Sequence, residues 1–129
     1  MSIRKVLNIE DTALKHVAIA RALNKAGVPF VECAKNGDIG IEMVEKSIKD
    51  NRPYDLIITD MHFPIYGEDD FQAGIKVIRA LHDRNINIPI VVCSSVRYNV
   101  PEAADCIFYN EKSRDIDSDI REMLEKLRR

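Results

Sequence analysis

The sequence lacks the long apolar segments and the one-sided charge that mark membrane and nucleic-acid-binding proteins. No apolar run approaches the roughly 20 residues that cross a bilayer, and the segment from Met1 to Lys5 has no signal-peptide pattern. Lys and Arg alternate with Asp and Glu for a net charge of -2, so no basic stripe indicates nucleic-acid binding. We therefore expect a cytoplasmic protein that binds neither membranes nor nucleic acid.

Cysteine is scarce, and its spacing is not that of a metal site. The three cysteines, Cys33, Cys93 and Cys106, are an odd number without the short paired spacings of zinc ligands. Cys93 and Cys106 adjoin apolar residues in strand-like runs, which predicts buried, reduced thiols. Repeats, linkers and low-complexity tracts are also missing. At 129 residues the chain has the size of one domain, and we expect a single domain over residues 1–129.

Short β-branched runs alternate with longer stretches of helical periodicity. Strands are predicted near residues 6–9, 30–33, 56–58, 90–93 and 106–109. The apolar faces of the predicted helices are Leu14, Val17, Ala18 and Ala22; Ile41, Val44 and Ile48; Ile75, Ile78 and Leu81; and Ile116, Ile120, Met123, Leu124 and Leu127. Parallel neighbours in a sheet need a crossover, which a helix supplies. The pattern predicts an α/β protein with a doubly wound, five-stranded parallel sheet.

Polar residues stand where the predicted strands end. Glu10 and Asp11 follow the first strand, Asp60 the third, Ser94 the fourth, and Lys112 comes after the fifth. In open parallel sheets ligands bind at this edge. Three carboxylates placed together repel one another, and a hard dication such as Mg²⁺ removes the conflict. The pattern predicts a Mg²⁺ site at which the Asp60 carboxylate accepts a phosphoryl group, with Ser94 and Lys112 contacting its oxygens.

Each of these residues, taken alone, also has a purely structural interpretation. Asp60 could cap a turn, and Glu10 and Asp11 could start a helix whose dipole favours acids. Lys112 alone is typical of a solvated surface charge. Their occurrence at the ends of different strands is what favours a common site.

Four stretches resemble the receiver domains of two-component response regulators, over essentially the whole chain. They are VLNIEDT, ECAKNGDIGIEMV, YDLIITDMHFP and IPIVVCSS. The resemblance implies the flavodoxin-like (βα)5 receiver fold, with Asp60 as the phosphoacceptor. It also implies that Glu10, Asp11, Asp60 and the backbone carbonyl of His62 bind Mg²⁺.

The same resemblance assigns residues that respond to phosphorylation. Ser94 becomes the hydroxyl that turns toward the phosphoryl group, and Lys112 becomes the lysine typical of the family. Tyr109 falls where the family has an aromatic switch residue that swings inward on activation. We interpret His62 as bordering the site with its side chain and His16 and His82 as surface residues.

The sequence departs from the family pattern at three places. Residues 65–72, IYGEDDFQ, extend the loop after Pro64, which we interpret as a solvated insertion or as a loop that alters partner choice. The segment between Ser95 and Cys106 is short and contains Pro101, which predicts one or two helical turns or an irregular loop. Ser113 follows Lys112 where the family usually has proline, so Asn110 competes with Lys112 for the lysine's position.

These features together predict a single-domain response regulator that acts by binding another protein or by relaying a phosphoryl group. The partners would be a histidine kinase or a histidine phosphotransfer protein, and a downstream target protein. One alternative is a degenerate receiver that binds its partner without phosphorylation. Another is an aspartyl-phosphate phosphohydrolase, against which His62 counts, because such enzymes have aspartate at that position. A fragment of a longer regulator also remains open.

Overall fold

The structure, a computed structural model, describes residues 2–129. Its elements, in chain order, are β1 (Lys5–Ile9), α1 (Ala13–Lys25), β2 (Phe30–Ala34), α2 (Gly37–Lys49), β3 (Leu56–Thr59), β4 (Phe63–Ile65), β5 (Glu68–Asp70), α3 (Ala73–Asp83), β6 (Ile90–Ser94), β7 (Asp105–Phe108) and α4 (Ile116–Arg128). Five strands form one parallel sheet in the order β2-β1-β3-β6-β7. This is the flavodoxin-like order, in which strands are added on one side of β1 first and then, from β3 onward, on the other. The predicted fold class is confirmed.

The central strands are covered by helices on both faces. All four residues of β3 and all five of β6 are buried, as their unbroken apolar runs indicate. Successive side chains of β3 point to opposite faces, so Ile57 packs with Val44 of α2, whereas Ile58 joins the core beside Ile19 and Leu124. The sheet thus separates two apolar cores.

Helix α1 is rotated by about one residue from the orientation that its apolar pattern predicts. Leu14 is 80% exposed and Val17 is 43% exposed, whereas Lys15 and Ile19 are buried. Leu14 and Val17 instead line a cavity of about 440 Å³ between α1 and α4. The predicted face of α1 is therefore wrong at Leu14 and Val17, and a lysine faces the interior.

The apolar patterns of the other helices agree better with the structure. In α4 the three central residues of the predicted stripe, Ile120, Met123 and Leu124, are buried. In α3, Ile78 and Leu81 are buried as predicted. The exception is Ile48 near the end of α2, which is 44% exposed. Among residues 2–129, no helix is long and apolar enough to cross a membrane.

The extension after Pro64 is a β-hairpin and not an irregular loop. β4 and β5 pair antiparallel, with Pro64 opposite Asp69. Tyr66 and Gly67 between them have φ of 51° and 81°, the left-handed values that two-residue hairpin turns require. Phe63 at the start of β4 is fully buried and joins the core. The predicted insertion, residues 65–72, is solvated as expected, with Glu68 and Asp69 exposed, but it is a paired hairpin anchored by the buried Phe63 that precedes it.

The segment between β6 and β7 contains no helix. Residues 95–104 form bends and turns, so Pro101 starts no helix and the alternative of an irregular loop is confirmed. Val100 is still buried and joins the core on the α3 side of the sheet. This connection is where the chain differs most from a regular five-helix arrangement.

The three cysteines are free thiols with different surroundings. Cys93 in β6 is fully buried, and burial raises the pKa of its thiol to about 12. Burial also raises the pKa of the half-buried Cys33 thiol, and Cys106 is likewise only partly buried. The prediction of a buried thiol is confirmed for Cys93, whereas Cys106 lies on the outermost strand and is less covered.

Candidate functional site

Two neighbouring strands bring the predicted carboxylates together. β1 and β3 pair in parallel with Ile9 opposite Thr59, so Glu10 and Asp60 leave the sheet side by side. The backbone continues this pairing, because the N–H of Asp60 donates to the carbonyl of Ile9 at 3.0 Å. Glu10, Asp11 and Asp60 each offer one carboxylate oxygen, and these oxygens lie within 4.8 Å of one another. The predicted convergence of the three acids is present in the fold.

The three carboxylates differ in their exposure and in their hydrogen bonds. The Glu10 side chain is fully buried, the Asp60 side chain is 15% exposed, and Asp11 is exposed. Glu10 Oε2 accepts a hydrogen bond from the N–H of Thr12 at 3.2 Å. Asp60 Oδ1 accepts one from the N–H of Met61 at 2.7 Å. The site therefore opens to solvent on the side of Asp11, and Asp60 retains a second oxygen that no backbone N–H holds.

A lysine that the sequence did not point to lies inside this cluster. Lys15, on the first turn of α1, places its ammonium 2.9 Å from Glu10 Oε1 and 3.2 Å from Asp60 Oδ2. The ammonium also donates to the carbonyl of Cys93 at 2.8 Å. One signal was available, since Lys15 lies four residues after Asp11, one helical turn from the acidic pair. The sequence pattern did not reveal Lys15, because the predicted apolar face of α1 differs by one residue from the face that is buried.

Burial and charge act in opposite directions on the Lys15–Glu10 pair. Burial by itself would lower the pKa of Lys15, but the carboxylates of Glu10 and Asp60 outweigh it and raise this pKa. Burial raises the pKa of Glu10, against the opposing attraction of Lys15. The raised pKa of Lys15 favours its charged form, and the two carboxylates compensate for the burial of this ammonium.

The donor set suits a magnesium ion. Three carboxylates and one ammonium, when ionised, leave two negative charges, which one divalent cation neutralises. Mg²⁺ takes oxygen ligands, commonly one or two carboxylates plus waters, and Asp11 and Asp60 reach the open side of the cluster. The residues present thus fit the cation that the family resemblance implies.

Ser94 and Tyr109 lie at the ends of the next two strands of the sheet, β6 and β7. Ser94, the last residue of β6, is buried, and its hydroxyl oxygen accepts a hydrogen bond from the N–H of Val96 at 3.2 Å. Tyr109 follows β7, and its N–H donates to the carbonyl of Ser94 at 2.8 Å. The Tyr109 ring lies 5.5 Å from the Lys15 ammonium, and its hydroxyl donates to Glu111 at 3.1 Å. Tyr109 is thus half-buried and directed outward along the turn.

Lys112 forms no hydrogen bond or ion pair with the three carboxylates among residues 2–129. It is exposed in a turn after β7, where its backbone N–H donates to Asn110 Oδ1 at 3.0 Å. Within residues 2–129 its ammonium takes part in no ion pair. Asn110, the competing candidate, uses its side chain to hold the N–H groups of Lys112 and Ser113. Both residues therefore shape the turn, and the role predicted for Lys112 finds no contact that supports it.

The His62 side chain packs against the hairpin. Its ring stacks on Phe71 with 4.3 Å between centroids, and its Nε2 is buried. His62 follows Asp60 by two residues, so its backbone carbonyl belongs to the same loop as the acceptor. The His62 side chain is therefore held by its stacking on Phe71. His82 is exposed as predicted, whereas His16 is half-buried with Nδ1 2.8 Å from Asn8 Oδ1.

Several solved structures that superpose on this chain are response regulators or domains of them. The phosphorylated cyanobacterial phytochrome response regulator RcpA superposes with a TM-score of 0.76 at 18% identity, covering 96% of this chain and 93% of that chain. The chemotaxis response regulator CheY4 of Vibrio cholerae gives 0.68 at 19% identity and covers 98% of both chains. The N-terminal domain of a response regulator/sensory box/GGDEF 3-domain protein from Carboxydothermus hydrogenoformans gives 0.71 at 22%, covering 97% and 94%.

Two curated proteins match this chain over part of their own length. A protein-glutamate methylesterase/protein-glutamine glutaminase of Archaeoglobus fulgidus is 36% identical over 92 residues, which is 71% of this chain and 23% of that protein. The protein of the same name from Treponema denticola is 27% identical over 105 residues, 80% of this chain and 25% of that protein. This chain thus spans about a quarter of the length of the curated relatives it matches. No protein-family model matches the chain.

The chain is a receiver domain of the response-regulator type. The resemblance predicted from the sequence is confirmed by the structural neighbours and by the curated relatives.

Proposed function

We propose that this chain acts as a response-regulator receiver domain that accepts a phosphoryl group on Asp60 in the presence of Mg²⁺. The observation that carries the proposal is the convergence of Glu10, Asp11 and Asp60, with one oxygen of each within 4.8 Å. Such a cluster at the carboxyl edge of the strands is the placement that phosphoryl chemistry on this fold requires. The receiver fold itself supports the same assignment.

The chemistry is a displacement at phosphorus. A carboxylate oxygen of Asp60 attacks the phosphorus of a phosphohistidine on a histidine kinase or phosphotransfer protein. The new O–P bond forms as the P–N bond breaks, and its electron pair leaves with the imidazole nitrogen. A divalent cation held by Glu10, Asp11 and Asp60 would neutralise charge on the phosphoryl oxygens. The acyl phosphate replaces the single charge of Asp60 with a charge of roughly -2.

The chain's own residues provide orientation and partial exclusion of water. The N–H of Met61 fixes Asp60 through Oδ1, which holds the carboxylate in one rotamer. Only 15% of the Asp60 side chain is exposed, so a donor must approach from the side of Asp11. Leu14, three residues after Asp11 in the sequence, is apolar and 80% exposed, which supports a protein and not a small molecule as the physiological donor.

We infer that phosphorylation changes the surface next to β6 and β7. The Tyr109 N–H donates to the Ser94 backbone carbonyl, which places Tyr109 directly beside the residue whose hydroxyl would turn toward the phosphoryl group. A shift between two states needs only a few kcal/mol of differential stabilisation. The downstream target is proposed to bind this surface, since receiver domains in general act through kinases and target proteins.

Incubation with acetyl phosphate and Mg²⁺, followed by intact-mass measurement, tests the proposal. The wild type is expected to gain the mass of one phosphoryl group, and Asp60→Asn to gain none, because the nucleophilic oxygen has been replaced by an amide. Asp69→Asn is the matched control, since it removes the same charge from the exposed hairpin. An adduct that persists in Asp60→Asn contradicts the assignment of the acceptor. The absence of any adduct in the wild type favours a degenerate receiver.

Asp11→Asn is expected to weaken Mg²⁺ binding by about tenfold or more, because a ligating carboxylate becomes a neutral amide. Asp11 is exposed, so the free energy of unfolding should stay near that of the wild type. Isothermal titration with MgCl₂ measures the affinity, and urea unfolding measures the stability. Equal affinities for Asp11→Asn and Asp69→Asn would exclude Asp11 as a ligand.

A further inference from the structure

The Lys15 ammonium joins three strands of the sheet at one point. It contacts Glu10 after β1, Asp60 after β3 and the carbonyl of Cys93 in β6, at 2.9, 3.2 and 2.8 Å. The ammonium donates a hydrogen bond to the Cys93 carbonyl and forms ion pairs with the two carboxylates. The residue is only 7% exposed. A buried lysine held by acceptors on three different strands is placed far more exactly than a surface charge would be.

The position of the ammonium relative to Asp60 is what gives it a chemical role. Asp60 Oδ1 is tied to the N–H of Met61, and Lys15 lies beside the other oxygen, Oδ2. A phosphoryl group carried on Oδ2 would bring its oxygens next to the ammonium. Positive groups aimed at the place where charge develops stabilise phosphoryl transfer, and they do so most strongly in a water-poor site. Lys15 meets both conditions.

The balance of positive and negative charges at the site also supports a role for Lys15 beside the phosphoryl group. Before transfer, the ammonium offsets one of the three carboxylates. After transfer, Asp60 has exchanged one negative charge for roughly two on the phosphoryl group, so the demand for a cation on that side increases. Lys112, exposed in the turn after β7, makes no ion pair among residues 2–129 and does not meet this demand.

We propose that Lys15, on helix α1, is the lysine that contacts the transferred phosphoryl group at Asp60, the role that family resemblance assigns to Lys112. The inference rests on the proposed function, since it concerns the same acceptor. On transfer the ammonium keeps its bond to the Cys93 carbonyl and exchanges its contact with Asp60 for one with a phosphoryl oxygen. No proton leaves Lys15, and the electron pair of the broken bond stays with the donor's leaving group.

The test compares Lys15→Met and Lys15→Gln with Lys112→Met, which removes an equal charge from an exposed site. Initial rates of phosphorylation by acetyl phosphate with Mg²⁺, followed by intact mass, are expected to fall on the order of 100-fold in both Lys15 variants. Lys112→Met is expected to stay within about twofold of the wild type, as exposed substitutions do. Lys15→Gln keeps polar donors for Cys93 and Glu10, so it reports on the charge even if Lys15→Met does not fold.

A second measurement separates a phosphoryl contact from a structural role. Beryllofluoride, which mimics the phosphoryl group, should bind the Lys15 variants at least tenfold more weakly, whereas Mg²⁺ alone should bind as well or better after a competing cation is removed. Wild-type rates in Lys15→Gln, or a rate that falls only in Lys112→Met, overturn the assignment of Lys15 and leave the proposed function intact. No adduct in the wild type contradicts the proposed function, and this inference with it.

Discussion

Gly74→Ala is expected to lower the free energy of unfolding by about 1–3 kcal/mol and to slow phosphorylation of Asp60 on the order of 100-fold. Gly74, in the first turn of α3, lies directly against the acceptor loop, where its N–H donates to the carbonyl of Met61 at 3.1 Å. A Cβ at this position would stand 2.6 Å from the carbonyl oxygen of Asp60 and 3.1 Å from Cα of Met61. Backbone atoms cannot rotate away, so the loop that carries Asp60 must shift.

Gly40→Ala is the matched control, because it also adds one methyl group to a glycine inside a helix. Its Cβ would meet Cδ1 of Ile9 at 2.7 Å, the end of a side chain that can change rotamer. Its loss of stability should therefore be smaller, offset in part by the roughly 1 kcal/mol by which alanine exceeds glycine in helix propensity. Urea unfolding and intact-mass rates measure both effects. Wild-type stability and rate in Gly74→Ala would show that the acceptor loop is not confined by α3.

Phe63→Ala is expected to cost about 3–5 kcal/mol of stability, as the removal of a fully buried phenyl group does. Phe63 is fully buried and ties the hairpin of β4 and β5 to the core on the α2 side. Its ring also approaches α2, since a Cβ on Gly37 would lie 3.1 Å from Cε1 of Phe63. Loss of the ring leaves a cavity under the loop that follows Asp60, so the hairpin should loosen together with the acceptor loop.

Phe71→Ala provides the control, with the same residue type removed from an exposed position at the other end of the hairpin. Phe71 is 72% exposed and stacks on His62, so its loss should remove only about 0.5–1.5 kcal/mol from the aromatic contact. Urea unfolding followed by circular dichroism gives both free energies. Equal losses in the two variants would mean that the hairpin is not anchored through Phe63.

Much of the fold could be read from local sequence patterns because buried parallel strands have a distinctive composition. The apolar runs at Leu56–Ile58 and Ile90–Cys93 are unbroken because helices cover both faces of these strands. Strands with one face in water have alternating apolar and polar residues instead. The stripe of α4 was equally clear, since one face of that helix meets the sheet and the other meets water. Pro101 likewise excluded a regular helix before β7.

The hairpin was missed because its strands are only three residues long and mostly polar. Glu68 to Asp70 has none of the β-branched character that indicates a strand. Its pairing depends on the left-handed Tyr66–Gly67 turn and on the burial of Phe63, and both depend on the rest of the chain. Short polar strands such as β5 depend on contacts with the rest of the chain, because their own residues have little β propensity.

The sequence by itself determined the succession of the five parallel strands and four helices, and the meeting of Glu10, Asp11 and Asp60, because parallel strands all end at the same edge of a sheet. Which lysine joins them was decided only by the tertiary structure. The rotation of α1 about its axis turns Lys15 inward and Leu14 outward, and it depends on how that helix packs on the sheet and on α4. An apolar pattern cannot fix this rotation to within one residue, since the carboxylates that stabilise the buried ammonium come from β1 and β3, beyond the helix itself.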